Sequence, residues 1–241
     1  MYHHRMQIER LLQQQGFGAR KHCRALARDG RFSIGGEVID DPFREIEPEG
    51  LIFSVDGQEW PYFAKAVILF NKPAGYECSR KPRHHPGIYT LLPFQFVARD
   101  MQSVGRLDED TTGLLIITDD GQLIHALSSP RRKVEKRYRV GVKHPLDAHQ
   151  AAALCSGVLL NDDPDPVAAV AAEIVDAHTL LLTITEGRYH QVKRMLAAVG
   201  NRVETLCRVA VGGLDLPADL PEGGWRWLTA ADLEQLWRKS A

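Results

Sequence analysis

The segment Gly105-Arg106-Leu107-Asp108 places an acid beside a base just before the apolar run at residues 114–117. Because the turn signal Asp119-Asp120-Gly121 ends that run, it predicts a short buried strand. Proteins place catalytic groups on loops that rigid elements of this kind brace. A carboxylate held there can attack an electron-poor carbon, stabilise positive charge on it, or take a proton. An ion pair of Asp108 with Arg106, or the capping of a turn, is the alternative that the spacing leaves open.

Length and composition limit the class of protein. With 241 residues and 44% hydrophobic residues, the chain can bury a core in one or two domains. No apolar stretch reaches the roughly 18 residues that span a bilayer, and no apolar segment follows the first five residues. We therefore expect no membrane association and no secretory signal.

Motifs for cofactors and metals are missing from the sequence. It contains no P-loop, no G-x-G-x-x-G turn and no zinc-ligand spacing, so we expect no cofactor and no metal. Its four cysteines form no C-x-x-C pair, which favours thiols in a reducing cytoplasm over metal ligands. They are Cys23, Cys78, Cys155 and Cys207.

Charge is distributed unevenly, although the formal net charge is only −1. Residues 1–31 carry seven lysines and arginines against two acids, whereas residues 37–59 carry eight acids against Arg44 alone. A second basic run, which includes Arg131 and Arg132, lies at residues 131–139. Concentrated basic patches indicate selective contact with phosphates, and solvated charged faces are the alternative.

The first sixty residues are typical of a small separate module. Apolar spacing predicts a helix that ends at Gly16-Phe17-Gly18 and a second helix at residues 20–28. A hairpin around Gly35-Gly36, a strand at residues 51–55 and a linker at 58–65 would follow. The second helix would present one basic face to solvent, formed by Arg20, Lys21, Arg24 and Arg28. Residues 2–5 are either a frayed tail or precede a true start at Met6.

The rest of the chain alternates short strands with a few helices. Strands are predicted at residues 66–70, 114–118, 138–142, 168–175, 179–185 and 203–211. Helices are predicted at residues 122–128, 147–155, 189–199 and 230–239, with Thr229 and Asp232 forming a capping box before the last one. Strands outnumber helices and the connections are short, so an α+β fold with a mixed, largely antiparallel sheet is favoured.

Four motifs resemble those of the pseudouridine synthase family, in the branch that carries an S4-like RNA-binding domain. They are Asn71-Lys72-Pro73-Ala74-Gly75, the G-R-L-D-x-x-T-x-G-L-L stretch from Gly105, Glu135-Lys136-Arg137-Tyr138-Arg139-Val140, and residues 186–195. Residues 118–122 and 197–201 are most similar to the RsuA type, which acts on small-subunit rRNA. The resemblance implies an S4-like domain at residues 1–59 and a catalytic domain at residues 60–241.

The resemblance also implies roles for single residues. Asp108 would be catalytic, with Tyr138 stacking on the uracil and Lys193 pairing with the carboxylate. Arg106, which we expect to face away from Asp108, would fill the space that the flipped nucleotide leaves. Contacts to RNA are expected from Lys72, Arg131, Arg132 and the basic helix face. His190 and Gln191 would either hold the loop or contact RNA. Met195 or Leu196 would wall the uracil pocket, with core packing as the alternative.

The expected activity is the isomerisation of one uridine of 16S rRNA to pseudouridine. The substrate would be free rRNA or a small-subunit assembly intermediate, and the protein would act as a monomer without a cofactor. Three alternatives remain open: a 23S rRNA synthase of a sister branch, an assembly factor without catalysis, and a nucleosidase that releases uracil.

Overall fold

The structure, a computed structural model, describes residues 5–239, which divide into two compact units. The first unit contains residues 5–66 and 89–102, and the second contains residues 67–88 and 103–239. The predictions for the tail and for Met1 as the start lie outside the described residues. Within the described part of the chain, no helix has the length and apolar character needed to cross a membrane.

The first unit combines three helices with short strands. Its helices are α1 (Ile8–Gln14), α2 (Arg20–Arg28) and α3 (Phe94–Ala98). Its strands are β1 (Met6–Gln7), β2 (Phe32–Ile34), β3 (Glu37–Val38), β4 (Glu45–Ile46), β5 (Ile52–Val55) and β6 (Gln58–Pro61). Strands β3-β2-β5-β6 form an antiparallel sheet, and β1 pairs with β4. The two helices and the hairpin that periodicity predicts are therefore confirmed.

The predicted linker at residues 58–65 is wrong, because its first half is strand β6. Trp60 on this strand is only 4% exposed, and its ring packs against Phe17 and Phe96 at centroid distances of 5.6 Å. The helix α3, which the sequence did not predict, brings Phe96 into this aromatic cluster. At Gly16, where φ is +86°, a Cβ atom would collide with the carbonyl of Gln95, so the close approach of α3 requires glycine there.

The second unit holds the remaining elements except β8 (Gln102–Ser103), which lies at the boundary of the units. Its strands are β7 (Val67–Lys72), β9 (Thr112–Thr118), β10 (Lys136–Val142), β11 (Ala171–Asp176), β12 (Thr179–Ile184), β13 (Val203–Val211), β14 (Leu214–Asp215) and β15 (Trp225–Trp227). Its helices are α4 (Gly121–Ser128), α5 (Ala148–Ser156), α6 (Gln191–Ala198) and α7 (Ala230–Gln235).

One mixed sheet organises the second unit, in the strand order β11-β12-β10-β13-β9-β7-β15. Only the pair β13–β9 is parallel among these neighbours, and the others are antiparallel. The predicted α+β class with a largely antiparallel sheet is therefore confirmed. The central strands β7 and β9 are almost wholly buried, as expected for strands that are covered on both faces.

Polar side chains fix the ends of the helices in the second unit. Asp120 accepts the backbone N–H groups of Gln122 and Leu123 at the start of α4. The predicted capping box of Thr229 and Asp232 opens α7, which ends at Gln235, four residues earlier than expected. Leu236, fully buried, then packs with Leu214 in the core on one side of the sheet. The caps satisfy backbone donors that the helices themselves leave unpaired.

Candidate active site

A buried lysine holds the loop that carries Asp108. The Lys72 ammonium has no exposed surface and donates to the carbonyl oxygens of Pro73, Glu109 and Thr111 at 3.0, 3.0 and 2.9 Å. Burial lowers the pKa of Lys72 below its ordinary value. The expectation that Lys72 contacts RNA is therefore wrong, because its charge is enclosed by backbone carbonyls. It braces the loop from the end of β7.

Asp108 begins a tight turn, in which the Thr111 N–H donates to the Asp108 carbonyl at 3.1 Å. Its carboxylate is about one-third exposed and lies 3.2 Å from the ammonium of Lys193 on α6. The same ammonium donates to both carboxylate oxygens of Asp110, at 2.7 and 3.0 Å. One cation thus serves two carboxylates. Asp110 was not predicted as a partner of Lys193, although the turn after Asp108 was the signal that could have placed it nearby.

The contact between Lys193 and Asp110 shifts the pKa values of both side chains. Burial by itself lowers the pKa of Lys193, but hydrogen bonds to Asp110 and Asp108 outweigh it, so the pKa lies above its ordinary value. Burial would likewise raise the pKa of Asp110, yet the hydrogen bond from Lys193 holds it below the usual range. Lys193 therefore stays protonated near neutral pH and lies beside Asp108 as a cation.

His190 adds a second nitrogen beside Asp108. Its Nε2 lies 3.4 Å from Oδ1 of Asp108, and its ring stacks on Tyr189 with centroids 3.8 Å apart. His190 has a left-handed backbone, with φ at +49°, just before α6. Gln191 is only 4% exposed and accepts the Arg188 N–H at 2.9 Å. Gln191 therefore holds the loop, as one of the two expected roles requires, and its contact with RNA stays a prediction.

A small cavity of about 80 Å³ brings the three predicted catalytic residues together. Asp108, Tyr138 and Lys193 all line it, and Tyr138 is 8% exposed. Its apolar wall is formed by Ile184, Val192 and Leu206. The prediction that Met195 or Leu196 walls this pocket is wrong. Both side chains are fully buried one helical turn beyond Val192, and neither lines this cavity.

Arg106 is exposed and lines the same cavity as Asp108. The expectation that the two side chains face apart is wrong. Between them Leu107 is only 6% exposed, and alternation along an extended segment places residues 106 and 108 on the same side. A guanidinium and the carboxylate can therefore contact one bound molecule.

A second cavity, of about 540 Å³, adjoins the first, with which it shares Arg106, Tyr138, Gly187 and Arg188. Lys136, at the start of β10, lines it. Burial, with the neighbouring charge of Arg208, lowers the pKa of Lys136 to about 8. Lys136 had no predicted role of its own, since in the sequence it is only one cation of a basic run.

Arg131 and Arg132 of that run are exposed, and their contact with RNA stays a prediction.

An open groove of about 1080 Å³ lies on a third side of Asp108. The loop 79–87 forms one of its walls with His84 and His85. Both carboxylate oxygens of Glu77 organise this loop by accepting the backbone N–H groups of Arg83, His84 and His85 at 3.1, 2.8 and 3.0 Å. These bonds lower the pKa of Glu77 to about 2.

Arranged in this way, the site can hold a flat polar ring between an aromatic face and an apolar wall, with a carboxylate at one edge. Such a carboxylate can act on a sugar carbon at the edge of the ring. Among residues 5–239, no cluster of three or more potential metal ligands occurs. The four cysteines make no disulfide with one another.

Comparison with known proteins identifies the family. A family model described as RNA pseudouridylate synthase matches residues 66–198. The ribosomal small subunit pseudouridine synthase A of Haemophilus influenzae is 36% identical over 236 residues, which are 96% of this chain and 99% of that protein. The Escherichia coli protein of the same name is 37% identical over 233 residues, which are 95% of this chain and 98% of that protein. A crystal structure of a pseudouridylate synthase, 34% identical in sequence, superposes with a TM-score of 0.68, and the match covers 96% of this chain and 99% of that one. The chain belongs to the RNA pseudouridylate synthase family.

Proposed function

We propose that this protein converts one uridine of 16S rRNA to pseudouridine, with Asp108 as the catalytic residue. The observation that carries the proposal is the pairing of the Asp108 carboxylate with Lys193 at the edge of a cavity that Tyr138 lines. The names of the two relatives, which are similar along nearly their whole length, support the small-subunit rRNA as the target.

The reaction rearranges bonds within a single nucleotide. The bond between uracil N1 and ribose C1′ breaks, the base turns, and a bond from C5 to C1′ replaces it. The proton leaves C5 and N1 gains one, so that the atoms balance without a cofactor. Asp108 either attacks C1′ or removes a ribose proton, and Lys193 holds its carboxylate in position.

The neighbouring residues would present the base to Asp108. Buried Tyr138 stacks on the flipped uracil, and aromatic stacking of this kind contributes about 1–3 kcal/mol per base. Arg106 takes the place that the nucleotide leaves in the RNA, because a planar guanidinium both stacks and donates hydrogen bonds.

Residues 1–59 would act as an S4-like RNA-binding domain, with residues 60–241 as the catalytic domain. Exposed cations on α2 support this assignment, because a helix face of arginines can bridge phosphates of folded RNA. Arg24 is an exception, since it is bound to the buried carboxylate of Glu9. The protein would work as a monomer in the cytoplasm, where rRNA is assembled into subunits.

Mapping of pseudouridine tests the proposal. Unmodified 16S and 23S rRNA, free and in subunit particles, are incubated with the wild-type protein and with Asp108→Asn, which keeps the shape of the side chain. We expect one new pseudouridine in 16S rRNA, reduced at least about 10³-fold by the variant, because removal of a catalytic group typically costs this much.

The alternatives give different products. A new pseudouridine in 23S rRNA would move the target to the large subunit, and released uracil would indicate a nucleosidase. Tight binding of RNA without any product would indicate an assembly factor.

A further inference from the structure

The second cavity, lined by Lys136 and Arg208, has the dimensions and lining of a ligand site. Its volume of about 540 Å³ lies within the range of about 300–1,000 Å³ that is usual for ligand pockets. It adjoins the cavity of Asp108, because Tyr138 and Arg106 line both. Whatever occupies the second cavity therefore lies next to the proposed uridine pocket.

One buried and one half-buried cation in this lining, Arg208 and Lys136, have no acidic partner. Arg208 is 4% exposed, and its Nε donates only to the backbone carbonyl of Leu114, at 2.8 Å. Lys136 donates weakly to the carbonyl of Val134, at 3.4 Å. Among the described residues, no carboxylate lies within 4.0 Å of either side chain. Since buried charges are ordinarily paired, two neighbouring cations facing a cavity indicate an anionic ligand.

Another arginine in the same lining shows the contrast. Arg188 contacts Asp163 and Glu186, each at 2.8 Å, and its charge is therefore satisfied by the protein itself. Glu186 is the only acid in the lining of the cavity, and it is the carboxylate that Arg188 binds. The positive charge that remains for a ligand is therefore contributed by Lys136 and Arg208, on the adjacent strands β10 and β13, and by the exposed Lys133 and Arg106.

We propose that this cavity binds the nucleotide next to the target uridine, with its phosphodiester paired to Lys136 and Arg208. The inference rests on the proposed function, since it takes RNA as the substrate. The apolar part of the lining, formed by Ile116, Leu127, Val134 and Val211, would receive the base or sugar of that nucleotide. Tyr138 and Arg106 would then stand between two neighbouring nucleotides, and the second nucleotide would help to select the site on the RNA.

Lys136→Gln tests the role of the charge, with Lys143→Gln as the matched control. Lys143 is exposed near the other end of β10, does not line any of the three cavities, and its replacement changes the net charge equally. We expect Lys136→Gln to weaken RNA binding about 10-fold and to reduce the slope of log Kd against log salt by about one, as for one lost phosphate contact. Lys143→Gln should leave both nearly unchanged.

Stability separates a ligand-binding lysine from a structural one. Lys136→Gln removes a desolvated cation that has no acidic partner, so the melting temperature of the free protein should equal or exceed that of the wild type. A lower melting temperature, together with unchanged RNA affinity, would mean that the ammonium stabilises the fold, and would overturn the proposal.

Neutral RNA linkages locate the contact. A methylphosphonate replaces the phosphodiester on either side of the target uridine, one position at a time. We expect one of these RNAs to bind the wild type about 10-fold more weakly, while Lys136→Gln binds it no worse than unmodified RNA. Equal losses in both proteins at every position would overturn the proposal.

Inorganic phosphate distinguishes a free anion from the RNA backbone. Suppose that phosphate raises the melting temperature of the wild type but not that of Lys136→Gln, and that both proteins bind RNA equally well. The site would then belong to a free anion, and the proposal would be overturned. Because affinity is measured without turnover, the outcome does not depend on the reaction. Failure to form pseudouridine would overturn the proposed function alone.

Discussion

At the scale of single residues, the decisive contact is an ammonium shared by two carboxylates. Lys193 lies 3.2 Å from Asp108 and 2.7 Å from Asp110. The closer carboxylate, Asp110, is more than half exposed, whereas Asp108 is about one-third exposed and faces the cavity. Asp110 therefore anchors the ammonium from the solvent side, and Lys193 holds Asp108 toward the pocket.

Replacement of this ammonium tests its role. Because truncation of one partner of a hydrogen-bonded charge pair costs about 2–5 kcal/mol, and this pair is partly exposed, we take the lower value for Lys193→Met. A loss of about 2 kcal/mol corresponds to an approximately 30-fold lower rate of pseudouridine formation at saturating RNA. Single-turnover assays measure this rate.

Lys193→Arg is the control, because it keeps the charge but changes its geometry. It should retain more activity than Lys193→Met, and Asp110→Asn should cost less than either loss of Asp108 or loss of Lys193. Equal rates for Lys193→Met and the wild type would show that the pair has no part in the reaction.

At the scale of elements, the loop 79–87 is held by one carboxylate. Glu77 accepts three consecutive backbone N–H groups, of Arg83, His84 and His85. These three hydrogen bonds indicate a loop with a defined shape, because each of them restricts the backbone of the residue that donates it.

We predict that Glu77→Gln loosens this loop. A glutamine has one acceptor oxygen, and its amide nitrogen would face a backbone donor, so at least one of the three hydrogen bonds is lost. Amide hydrogen exchange at residues 83–85 should become faster, and KM for RNA should rise while kcat changes little. Glu222→Gln, which changes an exposed carboxylate elsewhere in the second unit, is the control. Unchanged exchange at residues 83–85 would contradict this account.

The quality of the element predictions followed from the strength of the local pattern. The bounds of α2 and β13 agree with those predicted, because alternating or helical burial is explicit in their sequences. Strand β6 was missed because Glu59 and neighbouring polar residues conceal a single buried tryptophan, Trp60. Helix α3 was missed because its five residues are too few for a helical period to be recognised.

At the scale of the whole molecule, the net charge of −1 does not show which cations are neutralised by acids of the protein and which are exposed to solvent. Within the first unit, Arg24 on α2 is neutralised by Glu9, which is only 5% exposed, and the side chain of Arg24 also lies over Phe43. The hydrogen bond from Arg24, opposed by burial, holds the pKa of Glu9 below its ordinary value. Arg20, Lys21 and Arg28 are exposed, although Arg20 lies within 3.7 Å of Glu9.

The variant with Arg20, Lys21 and Arg28 all changed to Gln tests the exposed cations. If each contacts one phosphate of the RNA, the slope of log Kd against log salt falls by about two to three. The rate at saturating RNA should stay near that of the wild type, because none of these residues lines a cavity with Asp108.

Arg24→Gln is the contrasting control. It leaves the buried Glu9 without its main partner, so it should lower the free energy of unfolding rather than the salt slope. An unchanged salt slope in the triple variant would show that this helix face does not contact RNA.

The sequence by itself determined most of the longer strands, most of the helices, the α+β class and the identity of Asp108, Tyr138 and Lys193 as candidates. These depend on local periodicity and on motifs, both of which are written along the chain. Tertiary structure alone decided which cations remain available, because availability depends on partners distant in sequence. Lys72 is enclosed by carbonyls up to 39 residues away, Arg24 is bound 15 residues away by Glu9, and Asp110 reaches Lys193 across 83 residues. Lys136 and Arg208, neither of which has an acidic partner, likewise lie near each other only because β10 and β13 are neighbours in the sheet.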